Sequence, residues 1–395
     1  MAFSHLDRLK SGKYRFHYLG MPHLPVSKKY SPCAFTQKIL NLTKILLSQG
    51  HEVFLYGAGY TDLEHENLTF IPLITVDDLR KEYGVGDNRF ELGYDWKEEQ
   101  FKHDINTQRN KTSEKFVQGA IAEINKRKEP SDFFLNPQGW YYKDVADAVD
   151  LYLTCEPGVG YRGSYSRFRA FESTYIQNFT YGSEHPRESI SGSFYDRVIP
   201  NYYDLTDFPY DTSIKKDNYL LFMGRVTTGK GVKTAIQVAE ALDKEILIVG
   251  QGSLHDINYP YKKATHLSAV GSAERFSLMA RAQVTLTPSV FLEPFCGVSI
   301  ESMLSGTPVV ASNFGAFTDT IMNGVNGFKC DTLDDFVKRT KLAMELDEII
   351  VHDFAASMYS LEEVGKLYQK WFDELYRVYL SLSDPSIKAW HYIAD

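Results

Sequence analysis

Glu293-Pro-Phe-Cys-Gly-Val-Ser-Ile-Glu301, continuing through Ser302-Met-Leu-Ser-Gly-Thr-Pro-Val-Val-Ala-Ser312, decides how this chain is read. Val284-Thr-Leu-Thr-Pro288 precedes it as a short apolar run with a stop, and Thr307-Pro-Val-Val-Ala-Ser312 follows as another. The pattern predicts strand, glycine-containing turn, helix and strand, which is one unit of a parallel sheet. Ligands of such sheets bind beyond the carboxyl ends of the strands. Glu293, Glu301 and the helix start between them are therefore expected to face a crevice.

The same alternation runs along the whole chain. Tyr14–Leu19, His51–Tyr56, Leu68–Pro72, Asp132–Leu135 and Leu151–Thr154 read as strands, and Ala34–Ser48 and Phe116–Ile124 as helices. Arg167–Phe179 also reads as a helix, and Arg197–Asn201 as extended. Residues 203–218 lack a period. After them come strands at Tyr219–Met223, Glu245–Val249, His266–Val270, Val284–Thr287 and Val309–Ala311, with a helix at Gly231–Leu242. Leu361–Leu380 is a long amphipathic segment with Val364, Leu367, Trp371, Leu375 and Val378 as one stripe. Residues 87–115 are polar and weakly patterned, which suggests a surface excursion or an acceptor-binding flap. At 395 residues, two α/β domains are expected rather than one core. They are residues 1–203 and 204–360, with 361–395 as a helical segment packing on the first.

Composition narrows the function classes. A net charge of −8 without a basic stripe argues against nucleic acid as a partner. Four scattered cysteines with no C-x-x-C argue against a disulfide framework or a zinc site. No apolar run approaches the length of a spanning helix, and no signal-like segment opens the sequence, so a soluble cytoplasmic protein is expected. Neither G-x-S-x-G nor H-E-x-x-H occurs, and no Asp-x-Asp stands ready to clamp magnesium.

Two glycine-rich strings carry chemistry. Gly224-Arg-Val-Thr-Thr-Gly-Lys-Gly231 follows a strand and opens a helix. Glycines let a ligand approach the backbone, and Arg225 and Lys230 add charge suited to a diphosphate. A P-loop would need Ser or Thr where Gly231 stands. A surface turn with incidental charges is the plainer alternative. Gly158-Val-Gly-Tyr-Arg-Gly163 is a G-x-G-x-x-G string, formally after a strand and before a helix. It would suit a nicotinamide or flavin site. Against that, Glu156-Pro157 separates it from the expected strand, and no second strand ending in an acid follows at the right distance.

Taken in order, these motifs resemble the retaining glycosyltransferases of the GT-B fold, family 4 type. Val198-Ile-Pro-Asn201 with Asp204 and Phe208, Gly224-Arg225 with Lys230-Gly231, Gly250-Gln-Gly252, Gly271, Glu293 to Glu301, Gly306–Ser312 and Asn323–Phe328 carry the likeness, over about residues 198–328. The N-terminal half departs from it. Ser31-Pro-Cys-Ala34 stands where a Gly-Gly pair is usual, and Leu135-Asn-Pro-Gln-Gly139 where a His is common. The resemblance implies two Rossmann-like sheets facing across a cleft that closes by a hinge at residues 203–217. It implies a nucleotide-diphosphate hexose as donor, with GDP-mannose favoured, and a glycan or other hydroxyl acceptor.

The resemblance further implies roles for single residues. Gly224, Arg225, Lys230 and Gly250 would surround the diphosphate and base. Glu293 would hold the hexose and Glu301 the ribose. The backbone of Phe295, Cys296, Gly297 and Val298 would meet sugar and phosphate oxygens. Arg225, Lys230 and Glu293 would serve catalysis, with no metal or other cofactor. A nucleotide-sugar-binding protein without activity, and an oxidoreductase using Gly158–Gly163, are the alternatives.

Overall fold

The computed structural model describes residues 5–30, 33–83, 109–184, 192–384, 386, 387 and 389. Two sheets organise them. The first contains β1 (Arg15–Leu19), β2 (Glu52–Ala58), β3 (Leu68–Ile74), β4 (Phe133–Leu135), β5 (Leu153–Val159), β6 (Phe168–Phe171) and β7 (Arg197–Val198). The second contains β8 (Tyr219–Met223), β9 (Glu245–Val249), β10 (Ala264–Leu267), β11 (Val284–Thr287), β12 (Val309–Ser312) and β13 (Gly327–Cys330). Their orders are β3-β2-β1-β4-β5-β6-β7 and β10-β9-β8-β11-β12-β13. Among the described residues every strand pairing within these sheets is parallel. The strands are apolar on both faces, as parallel sheets covered by helices require. Leu220, Leu221 and Phe222 in β8 are all buried.

In each sheet the order reverses at one place, between β1 and β4 and between β8 and β11. Crevices open at such switch points, beyond the carboxyl ends of the strands. Gly224 follows β8 and Pro288 follows β11, so the two candidate loops begin at the same switch point.

The helix Leu361–Ser381 returns to the first sheet. Phe372 and Tyr376 meet Phe16 and Tyr14 at ring separations of 4.8 and 4.6 Å. Trp371 Nε1 donates to the Tyr195 carbonyl at 2.8 Å. The buried stripe runs through Val364, Tyr368, Trp371, Phe372, Leu375 and Tyr376. Leu367, expected within it, is exposed. The stripe turns toward the tyrosines, whose large rings fill the space facing β1 and β4.

The chain leaves the first sheet at Tyr203 and comes back at Ser360, and these crossings lie side by side. Tyr203 N donates to the Tyr359 carbonyl at 2.8 Å, and Leu361 N donates to the Tyr203 carbonyl at 3.1 Å.

Several local expectations need correction. Arg167–Phe179 is not one helix, because Phe168–Phe171 forms β6 and a helix begins only at Thr174. Four successive buried residues fit strand and helix equally by period, and the Ser173 hydroxyl, which accepts from Ile176 N at 3.3 Å, marks the true start. β5 runs through Glu156-Pro157 to Val159, where Leu151–Thr154 was expected. Pro157 is tolerated because β5 pairs with β4 only over Leu153–Cys155 and shifts register against β6 between Glu156 and Val159. β10 spans Ala264–Leu267 rather than His266–Val270. Most of the polar segment 87–115 lies outside the described residues. Its end opens the helix Lys111–Asn125, where the Asn110 side chain accepts from Ser113 N at 2.8 Å.

Candidate active site

Two close backbone approaches lock the switch-point loops together. Gly231 has φ +74°, and a Cβ there would lie 1.9 Å from the Pro288 carbonyl oxygen. The loop after β8 therefore touches the loop after β11, and only glycine permits it. Gly250, after β9, has φ +149°, and its Cβ would lie 2.0 Å from the Gly224 carbonyl oxygen. Gly224 N donates to the Val249 carbonyl at 2.9 Å, and Val226 N to the Gln251 carbonyl at 2.8 Å. Gly224, Gly250 and the Lys230 turn thus form one continuous rim.

Lys230 and Glu293, 63 positions apart, meet on that rim, with Lys230 Nζ 2.5 Å from Glu293 Oε1. Glu293 is 5% exposed. The Ser289 hydroxyl lies 2.9 Å from the same carboxylate oxygen and 3.1 Å from the Gly229 carbonyl. The Lys230 ammonium also sits 5.3 Å from the Phe291 ring centroid. A nearly buried carboxylate is thereby held by one cation and one hydroxyl, while the lysine side chain keeps 26% of its surface open. Ser289 was not singled out in the sequence, although it lies one turn-like step before Glu293 on a loop already suspected.

Arg225 is exposed and, among the described residues, makes no hydrogen bond or ion pair. Glu301 lies one turn into the helix Gly297–Leu304, with Oε2 3.3 Å from Arg275 Nε. Arg275 comes from the helix Ser272–Arg281, and no spacing in the sequence links it to Glu301. The helix Gly297–Leu304 starts without a side-chain cap, after Cys296 in the left-handed region at φ 66°. Ser299 N donates to the Cys296 carbonyl at 3.1 Å, and the amides of Gly297 and Val298 stay available to a ligand. Phe295 is buried among Ile300, Ala311 and Tyr359, so only its backbone can serve a ligand. Gly297 and Val298 are partly exposed.

The first sheet contributes the opposite wall. Ser173 Oγ donates to the Pro294 carbonyl at 2.6 Å, next to Glu293. Thr174 N, at the start of the helix Thr174–Glu184, donates to Asp319 Oδ2 at 2.7 Å. Lys38 Nζ is 2.5 Å from Glu172 Oε1 and 3.0 Å from the Gly158 carbonyl. This arrangement counts against the dinucleotide reading of Gly158–Gly163. The string joins β5 to β6, so no helix follows to receive a pyrophosphate. A Cβ at Gly160 would lie 2.3 Å from Glu172 Oε2, so the space its glycine leaves is filled by an acidic side chain. Glu156 beneath the loop accepts from Tyr161 OH, Tyr165 N and Ser166 N at 2.7, 3.1 and 3.1 Å. Its role is to shape the loop.

Among the described residues no three His, Cys, Asp or Glu side chains are grouped so as to hold a metal ion, and no helix is long and apolar enough to cross a membrane.

Residues 206–356 match the family glycosyl transferases group 1. A glycosyltransferase of Methanocaldococcus jannaschii is 34% identical over 122 residues, 28% of this chain and 31% of that protein. Glycogen synthase of Mycobacterium tuberculosis is 30% identical over 151 residues, 35% of this chain and 36% of that protein. GDP-mannose-dependent alpha-mannosyltransferase of Corynebacterium glutamicum is 30% identical over 114 residues, 29% of this chain and 27% of that protein. The chain thus spans about a third of the length of the curated relatives it matches. Among solved structures, AviGT4, a glycosyltransferase involved in avilamycin A biosynthesis, has a TM-score of 0.63 at 18% identity, covering 92% of this chain and 98% of that one. Sucrose-phosphate synthase of Thermosynechococcus elongatus has a TM-score of 0.62 at 15% identity, covering 94% of this chain and all of that one. The two-sheet architecture is the GT-B fold, and the match to the group 1 glycosyl transferases falls within the six-stranded half.

Proposed function

We propose that this protein is a retaining glycosyltransferase that moves a hexose from a nucleotide-diphosphate sugar to a glycan or other hydroxyl acceptor, without a metal ion. The observation that carries the reading is the meeting of Lys230 and Glu293 at 2.5 Å on the β8/β11 switch-point rim, within the stretch that matches the group 1 glycosyl transferases.

In this mechanism the acceptor hydroxyl oxygen bonds to the hexose anomeric carbon on the face the diphosphate leaves. The carbon–oxygen bond to phosphate breaks, and its electron pair stays on the nucleoside diphosphate. A phosphate oxygen takes the acceptor proton. Charge grows on the leaving group as that bond breaks, and the Arg225 guanidinium and Lys230 ammonium are the groups that stabilise it. The amino end of the helix Gly297–Leu304 adds its dipole. Glu293 holds the hexose hydroxyls, and Glu301 accepts from the ribose. Double displacement with Glu293 as nucleophile ranks lower, since its Oε1 already receives Lys230 and Ser289. The cleft closes about the paired crossings at Tyr203 and Ser360.

GDP-mannose is the donor we favour, supported by the likeness to the GDP-mannose-dependent alpha-mannosyltransferase of Corynebacterium glutamicum. Thermal-shift measurements with GDP-mannose, UDP-glucose and UDP-N-acetylglucosamine in EDTA test base choice and metal independence together, because a binder stabilises the fold by mass action. GDP-mannose should raise the melting temperature most and release GDP slowly by hydrolysis or transfer. Stabilisation by a UDP-sugar alone would replace the donor. A binder never turned over would leave a binding protein, and no response to any nucleotide sugar would refute the reading.

A further inference from the structure

Tyr203 stands on the crossing between the two sheets, and both of its backbone hydrogen-bonding groups are engaged there by Tyr359 and Leu361. Its side chain leaves the crossing and ends at the start of the helix Gly297–Leu304. A Cβ built on Gly297 would lie 2.9 Å from the Tyr203 hydroxyl oxygen. Gly297 does not have a positive φ, so its own backbone does not demand glycine. The phenol is what excludes a side chain there.

Among the described residues the Tyr203 hydroxyl makes no hydrogen bond. The ring is fixed by Phe208, 5.9 Å away between centroids. Burial first, then the charges of Glu301, Glu172 and Cys296, push the phenol well above its usual pKa, with Arg275 opposing them. The group stays protonated and can donate. Its charged neighbours include the Glu301–Arg275 pair and Glu172. Through Gly297, Tyr203 therefore addresses the helix that carries Glu301, the end of the site that the proposed function gives to the nucleotide.

We propose that the Tyr203 hydroxyl is a donor-binding group that hydrogen-bonds an oxygen of the nucleoside diphosphate between Gly297 and Glu301. The inference rests on the nucleotide-sugar reading above and adds a contact from the interdomain crossing. Because the same residue joins the crossing strands, nucleotide occupancy bears directly on the segment about which the sheets would move.

The test is calorimetric binding of GDP and of UDP, without sugar, to the full chain and to Tyr203→Phe, Gly297→Ala and the double variant, with melting temperatures alongside. Tyr203→Phe removes one oxygen and keeps the ring, so its melting temperature should stay within about 1 °C while affinity for the bound diphosphate falls about five- to tenfold, as loss of one hydrogen bond does. Gly297→Ala should weaken binding at least as much, because its methyl meets the phenol oxygen. The double variant should bind like Tyr203→Phe alone, since removing the oxygen makes room for the methyl. Unchanged affinity in Tyr203→Phe, a loss seen only with sugar nucleotides, or additive losses in the double variant would each overturn the inference. Binding of neither diphosphate by the unaltered protein would overturn the parent reading as well.

Discussion

Replacing Lys230 with methionine separates what the Lys230–Glu293 pair does for the fold from what it does for the reaction. Glu293 is 5% exposed and has its Oε1 2.5 Å from the ammonium. Removing one partner of a buried ion pair typically costs about 3–5 kcal/mol, because a charge is left in low dielectric. Here the Lys230 side chain is 26% exposed and Ser289 still lies 2.9 Å from the carboxylate, so the expected loss shrinks to about 2 kcal/mol. For a domain of 150–250 residues that is a fall of about 4–8 °C in melting temperature. Glu293→Gln leaves a cation that reaches water, and should cost under about 1 kcal/mol. The double variant then contains no orphaned charge and should melt near Glu293→Gln, a coupling of at least about 1 kcal/mol. Turnover behaves differently. All three variants should lose about a hundredfold or more in kcat/KM, because the charge that stabilises the leaving diphosphate or the contact to the hexose is gone. Differential scanning fluorimetry and nucleoside diphosphate release measure both quantities on the same samples. Additive melting shifts, or recovery of turnover together with stability in the double variant, would refute the argument.

Arg225→Ala should melt like the unaltered protein, since Arg225 is exposed and unpaired among the described residues, yet lose about a hundredfold in kcat/KM; near-normal turnover would remove Arg225 from the mechanism. Gly231→Ala should lose more than about 2 kcal/mol in denaturant titration, because φ +74° and a Cβ 1.9 Å from the Pro288 carbonyl leave no unstrained solution; a loss below that would show the loop contact to be pliable. At the crossing, burial raises the Asp204 carboxyl, but Lys44 Nζ at 2.7 Å, the Thr206 hydroxyl at 2.6 Å and its amide at 3.0 Å outweigh this and hold it at about 2. A depressed folded-state value means stability that is present above the unfolded value near 3.8 and lost as pH falls toward about 2, amounting to about 2 kcal/mol. Asp204→Asn should flatten that part of the acid limb in melting experiments between pH 5 and about 2.5. An unchanged slope would assign the acid sensitivity elsewhere.

How much of this was legible from residue order depends on the range of each interaction. β8, β9 and β11 coincide with the expected Tyr219–Met223, Glu245–Val249 and Val284–Thr287, because short apolar runs flanked by glycine or proline carry their own boundaries. β6 was read as helix because four buried residues have no distinguishable period. The aliphatic stripe through Leu367 leaves out Tyr368 and Tyr376, which bury their rings on the neighbouring face while Leu367 is exposed. The glycine strings showed which loops approach something, and the structure identifies it. Gly231 and Gly250 approach neighbouring backbone, while Gly160 makes room for Glu172.

The charges of the site follow the same logic with a sharper outcome. Residue order marked Arg225 and Lys230 as charges suited to a diphosphate and put Glu293 and Glu301 beside a crevice, while their sugar-binding roles are what the resemblance implies. It could not show that Lys230 would meet Glu293, nor that Arg275 would meet Glu301, because those pairings depend on which strands are neighbours. The consequence is chemical. A diphosphate that draws Lys230 must compete with a carboxylate 2.5 Å away, so a bound donor has to supply Glu293 with replacement hydrogen bonds. Hexose hydroxyls can do so, and a nucleoside diphosphate without its sugar cannot. If Lys230 is the phosphate ligand, removing it should therefore weaken binding of the complete nucleotide sugar more than binding of the diphosphate alone, whereas Tyr203→Phe should weaken both equally. Equal losses for both ligands in Lys230→Met would mean that breaking the ion pair with Glu293 carries no energetic weight in donor binding.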